Sequence, residues 1–249
     1  VSNYKLSNFK DMKFKKYFSL QNISFNYDNK EIFKDLNLTI KPGDKIGIIG
    51  ETGSGKSTLI NIILGLLKPT NGKMMIDDLQ IKLRSKDNSI KGWQNLISYV
   101  PQNVILHDIS LMENIAFGIE PEKIDTNKVK RVAKYAKIDK FIDLKKDYFN
   151  TKVGERGIEI SGGEAQRIGI ARAFYREPQI LILDESTSAL DIGIEKQVIE
   201  SIFKNSKTLI MTSHRLSTLE KCNKLFFLNK KELLEIDFKD AKNLLMAIK

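Results

Sequence analysis

Residues 50 to 58 read Gly50-Glu51-Thr52-Gly53-Ser54-Gly55-Lys56-Ser57-Thr58, the spacing GxxxxGK(S/T). Each part has a use around a triphosphate. The glycines let successive backbone N–H groups curl about phosphate oxygens, and the helix that starts at the lysine adds its partial positive charge. Lys56 is then placed to reach the β and γ phosphates, and the Ser57 hydroxyl to ligate Mg²⁺. A second chemical pair stands at Asp184-Glu185 in "ILILDES". An acidic pair behind a strand is often only the start of a loop. In a chain with a complete phosphate loop it reads as a metal-holding aspartate and a glutamate that polarises an attacking water. A third stretch, "IEISGGEAQRI", places Ser161, Gly162, Gly163 and Glu164 at a helix start. Ser-x-x-Glu fits a capping box, and the two glycines suit a backbone that touches something. One chain therefore carries two glycine-rich, anion-facing helix N-termini.

These groups need elements to carry them. "KIGIIG" leads to Gly50, "LISYVPQ" to Gln102, "ILILDE" to Asp184 and Glu185, and "TLIMTSH" to Ser213 and His214. Short aliphatic runs of this kind suit strands buried on both faces of a parallel sheet. Ligands of open α/β sheets bind beyond the carboxyl ends of the strands. The apolar run "STLINIILGLL" supplies the helix behind the phosphate loop. In "SGGEAQRIGIARAFY", Ile168, Ala171 and Ala173 face inward and Pro178 stops the helix. In "DTNKVKRVAKYAK", Val129, Val132, Ala133 and Ala136 recur at i, i+3, i+4 and i+7, with Asp125 or Thr126 as cap. The lysines of that segment fall on its other, solvated face. Tyr27 beside Phe25 reads on its own as one of several strand aromatics. His107 reads as structural or surface.

The bulk numbers bound the rest. At 249 residues, 41% hydrophobic and 29% charged, the chain suits one or two globular domains. Its single cysteine, Cys222, excludes an internal disulfide framework and fits a reducing compartment. No stretch approaches the roughly 18 apolar residues that a membrane span needs, and no signal peptide is evident. Only seven of the 41 basic residues are arginine, and the lysines are scattered along the chain. The net charge of +10 thus reads as a solvated surface, with no nucleic acid expected. Residues 1–18, with five lysines and one aspartate, are expected to be a basic linker that follows a membrane domain.

The ordered set Tyr27, the phosphate loop, Gln102 in "VPQN", "SGGEAQR", "ILILDE", "SALD" at 188–191 and His214 in "SHRL" resembles the ATP-binding domain of ABC transporters. "LMENIAFG" and "VGERG" look like the exporter branch. The resemblance implies an α/β P-loop NTPase with a mostly parallel, RecA-like sheet, an N-terminal antiparallel β region and a helical subdomain at about 103–175. The ATP-binding domain would span 19–237, and 238–249 would be an amphipathic tail. It further implies ATP and Mg²⁺ as cofactors, and a head-to-tail dimer with a second copy that shares two ATP molecules. Export, or flipping of a lipid-linked substrate, would be powered through an associated membrane domain, at the cytoplasmic face of the cell inner membrane. In that frame Tyr27 stacks on adenine, Gln102 touches Mg²⁺ or the attacking water, and His214 contacts the γ-phosphate. Asp184 and Ser57 hold the metal, Glu185 is the base, and Asp191 faces the nucleotide. Ser161, Gly162, Gly163 and Glu164 take the partner's ATP. Glu164 departs from the family's usual glutamine and Ile160 from its leucine. Either the acid weakens the shared site, or its carboxylate turns back into the helix cap; the cap is the expected reading. An importer subunit remains the alternative. A soluble ABC ATPase acting on DNA or ribosomes is disfavoured, since Ser57 and Ser161 are 104 positions apart with no heptad run between them and one such domain is present.

Overall fold

The computed structural model describes residues 12–83, 89–154, 158–187, 189–229 and 231–248. Residues 1–11 of the expected linker, 155–157 of "VGERG" and Ser188 of "SALD" lie outside them.

The chain begins with β1 (Phe18–Tyr27) and β2 (Lys30–Ile40), then β3 (Lys45–Ile49), which leads into α1 (Lys56–Ile63). β4 (Asn71–Ile76), β5 (Leu79–Ile81), α2 (Ser89–Gln94) and β6 (Ile97–Val100) follow. Next come α3 (Leu111–Ile115), α4 (Thr126–Tyr135), α5 (Asp139–Asp143) and α6 (Gly162–Tyr175), then β7 (Ile180–Asp184) and α7 (Ile192–Asn205). The chain closes with β8 (Thr208–Thr212), α8 (Leu216–Leu219), β9 (Lys224–Asn229), β10 (Glu232–Ile236) and α9 (Phe238–Ile248).

Two compact units emerge: one of residues 1–97, 179–182 and 207–249, the other of 98–178 and 183–206. In the first, β2-β1-β4-β5 make an antiparallel sheet. A second sheet has the order β10-β9-β3-β8-β7-β6; β3 pairs in parallel with β8 and β9, and β10 joins as an antiparallel edge. This is the mostly parallel α/β architecture expected of a P-loop NTPase, with an added antiparallel sheet. All five residues of β7 and of β8 are buried, which explains why both read as unbroken aliphatic runs. Half-buried Cys222 lies among apolar neighbours of this unit, and burial pushes its thiol up to about 12.

The end of the basic segment is tied into the fold. Phe14 is buried, and its N–H donates to the Gln179 side-chain oxygen at 3.0 Å. The Asp77 carboxylate accepts N–H bonds from Lys15, Lys16 and Tyr17 at 3.2, 2.7 and 3.0 Å. Asp77 occupies the β4–β5 turn at φ 49°, a conformation that Asp tolerates better than most residues.

In the second unit, α3 and α4 pack against α6. Val129, Val132, Ala133 and Ala136 are buried, and the Asp125 side chain caps α4 by accepting from the Lys128 N–H at 3.0 Å. Arg172 donates to the carbonyls of Asn114 and Ile105, at 2.8 and 3.1 Å, so α6 holds both α3 and the segment before it. No helix among the described residues is long and apolar enough to cross a membrane.

Candidate functional site

In the first unit the turn after β3 runs Gly50 to Gly55 and delivers Lys56 as the first residue of α1. Gly55 is the N-cap at φ 105°, and a Cβ there would stand 3.0 Å from the Phe33 ring. The left-handed conformation favours glycine, and the ring leaves little room for a side chain. Lys56 is only 7% exposed, and its ammonium donates to the carbonyls of Gly50 and Glu51 at 2.9 and 3.1 Å. A buried ammonium curled over its own loop supplies the positive charge that a phosphate group requires. The Ser54 hydroxyl is buried in the same loop without a hydrogen-bond partner, a polar atom that a phosphate oxygen would satisfy. Glu51, Thr52, Gly53 and Ser57 are exposed, and Thr58 is half-buried.

Two other predicted groups belong to this unit. Ile48 of β3 pairs with Thr212 of β8 in parallel, so Gly50 and His214 each lie two residues past a paired position at one sheet edge. His214 is half-buried there, and the preceding Ser213 hydroxyl accepts the Arg215 N–H at 3.0 Å. Tyr27 ends β1, 46% exposed, and meets the Phe25 ring edge-on at 4.9 Å. Phe25 pairs with Phe33, the residue against which Gly55 packs, so the β1–β2 hairpin carrying Tyr27 abuts the phosphate loop.

The second unit gathers the remaining groups. Asp184 ends β7 at 6% exposure and accepts a hydrogen bond from the Tyr99 hydroxyl at 3.4 Å. Burial, and then the Asp184 charge, push that phenol up to about 12, so it stays a donor at neutral pH. Glu185 follows in the left-handed region, at φ 48°. Such a conformation is uncommon for a residue with a Cβ and clusters at functional sites. Ser161 caps α6: its hydroxyl accepts the Glu164 N–H at 3.3 Å, while the Glu164 carboxylate accepts the Ser161 N–H at 2.8 Å. Glu164 is thus turned back into the cap, and Ser161 and Gly162 are exposed. Gly163 packs so closely that a Cβ would stand 3.0 Å from the Ala189 carbonyl. Asp191 is the exposed N-cap of α7, with no side-chain cap bond. Gln102 is exposed in the turn after β6. His107 is exposed and stacks on Phe117 at 4.5 Å.

Residue patterns did not single out Tyr99 or Gln166. Gln166 is 4% exposed; its side-chain N–H donates to the Gln102 carbonyl at 3.3 Å and its oxygen accepts the Ala189 N–H at 3.2 Å. The available signal was a polar residue on the helix face shared with Gly169, Ile170 and Ala173. Buried Glu195 similarly accepts from the Thr187 hydroxyl at 3.0 Å and ties the turn before α7 to that helix. No cluster of three or more His, Cys, Asp or Glu among the described residues could cage a metal.

The family model described as ABC transporter matches residues 33–188. ABC transporter B family member 14 of Arabidopsis thaliana is 37% identical over 220 residues, covering 86% of this chain and 17% of its own length. The Multidrug resistance ABC transporter ATP-binding and permease protein of Lactococcus lactis is 36% identical over 220 residues, covering 86% of this chain and 36% of its own. A solved structure, that of a bacterial Atm1-family ABC exporter with ATP bound, superposes with a TM-score of 0.83 at 30% identity, over 93% of this chain and 41% of the other. The chain spans about a sixth to two fifths of the length of these proteins.

Proposed function

The chain belongs to the ABC transporter family, and on that premise we propose that it is the ATP-binding and ATP-hydrolysing domain of an exporter. The observation that carries the reading is Lys56, buried in a glycine turn at a helix N-terminus and held on the carbonyls of Gly50 and Glu51. The phosphates would exchange with those carbonyls for the ammonium, while Gly50 to Thr58 wrap them and Tyr27 stacks on adenine. Ser57, Asp184 and Gln102 are the groups that would hold Mg²⁺, which neutralises developing phosphate charge when bound. Tyr99 keeps Asp184 in place. Glu185 accepts a proton from the attacking water, and His214 orients the γ-phosphate. Ser161, Gly162, Gly163 and Asp191 serve the ATP held by a second copy.

The exporter assignment draws on the permease named in the Lactococcus relative and on the exporter with which the fold superposes. We place a membrane domain before residue 19, and the chain at the cytoplasmic face of the inner membrane. Phe238–Ile248 form a C-terminal helix. Titration of the purified chain with a fluorescent ATP analogue, in parallel with Lys56→Ala and Tyr27→Ala, tests the nucleotide site. Both substitutions are expected to weaken binding, Tyr27→Ala equally for ATP and GTP because stacking reads little of the base edge. Unchanged binding in both variants refutes the site.

A further inference from the structure

We propose that Gln166 is a positioning residue that makes three segments shift as one: the turn holding Gln102, the N-terminus of α6, and the turn before Asp191. The inference rests on the ATPase reading and adds a residue to it. Gln166 lies within the second turn of α6, a few residues after Ser161 and Gly163. One end of its amide donates to the Gln102 carbonyl at 3.3 Å, and the other accepts the Ala189 N–H at 3.2 Å. The partners fix the amide's orientation. A carbonyl can only accept and a backbone N–H can only donate, so a flipped side chain would set oxygen on oxygen and N–H on N–H.

Three features make this more than a packing contact. Gln166 is 4% exposed, so losing either bond leaves a largely buried amide group without that partner. It grips the backbone of Gln102 and leaves that residue's exposed side chain free to respond to a ligand. The Ala189 turn also lies close against the α6 N-terminus, since the Ala189 carbonyl would stand 3.0 Å from a Cβ built on Gly163. A displacement of the Gln102 backbone would therefore pull on both the α6 N-terminus and the turn before Asp191, or break one of these part-buried hydrogen bonds.

Two variants separate the ends of the bridge. Gln166→Glu keeps an acceptor for the Ala189 N–H but sets a carboxylate oxygen against the Gln102 carbonyl. Gln166→Met removes both bonds at similar length. Fluorescent-nucleotide affinity should stay within about twofold in each, because the phosphate loop is not touched. Turnover at saturating ATP should fall by about tenfold or more, the scale of one lost buried hydrogen bond. Exchange of the Ala189 amide hydrogen should accelerate in Gln166→Met and not in Gln166→Glu. Turnover of Gln166→Glu within threefold of a hydrolysing parent overturns the positioning role, as does Ala189 exchange indifferent to Gln166→Met. A parent that neither binds nor hydrolyses ATP would instead remove the functional reading, and the exchange measurement still decides the bridge. Should Gln166→Met fail to fold, Gln166→Glu carries the test alone.

Discussion

At the scale of single residues, the glutamates at 185 and 164 sit in opposite settings, which suit the opposite roles proposed for them. Glu185 is half-buried in a left-handed backbone, a conformation that surrounding structure must enforce. The general base proposed here has to be aimed, and such a backbone would aim it. Glu185→Gln keeps size and rotamers but removes the proton acceptor. ATP binding should persist while phosphate release falls ~10²–10⁴-fold, the usual scale for loss of a base; a steady-state assay with near-normal release refutes the assignment. Glu164, in contrast, spends its carboxylate on the Ser161 N–H at 2.8 Å. A glutamine oxygen can accept the same bond, so Glu164→Gln should leave turnover within a few-fold of the parent. Glu164→Ala leaves the cap unpartnered and should lose about 0.5–2 kcal/mol in chemical denaturation. A large gain of ATP-driven dimer in Glu164→Gln would mean that the acid repels the incoming phosphates despite its cap.

Elements show a different kind of dependence, because the loop chemistry hangs on helices far away in sequence. Ile49, the last residue of β3 before Gly50, shares an apolar cluster with Leu219, Leu225 and Phe227, and Ala241 and Leu245 of α9 complete it. The C-terminal helix is thus part of the support under the phosphate loop. Leu245→Ala should cost about 2–5 kcal/mol, read as a lower denaturation midpoint with an unchanged slope. A midpoint like the parent's would show α9 to be an appendage. This role is not legible in the sequence, where "DFKDAKNLLMAIK" shows one apolar face but not what covers it. The same limit hid the Asp77 clasp on residues 15–17 and the Gln166 bridge, since each joins residues 60 or more positions apart, or two turns through one side chain. What was legible is what is local. The GxxxxGK(S/T) spacing specifies a backbone path by itself, and the aliphatic runs of β3, β7 and β8 announce strands buried on both faces. The Ser161–Glu164 box could be read because a capping box closes within four residues.

At the scale of the whole molecule, the exposed Ser161 and Gly162 at the start of α6 form the surface proposed to face a second copy's ATP. The proposed second copy would bring ATP to it, and charge sets the terms of that encounter. Each copy carries a net charge of +10, so two approaching copies repel one another, and bound triphosphate supplies negative charge between them. The chain should therefore be monomeric without nucleotide, and Glu185→Gln should move to dimer mass in sedimentation with ATP and Mg²⁺, because nucleotide is buried as part of the interface. Salt separates this closure from loose association. Raising ionic strength from ~0.05 M to ~0.5 M shortens the screening length from more than ten ångströms to a few. That weakens repulsion between exposed lysines more than contacts to a buried triphosphate. The nucleotide-loaded dimer should accordingly persist or increase as salt rises. Complete dissociation over that range would mean that polyanionic ATP merely bridges two basic surfaces, and it would count against the closed two-ATP arrangement.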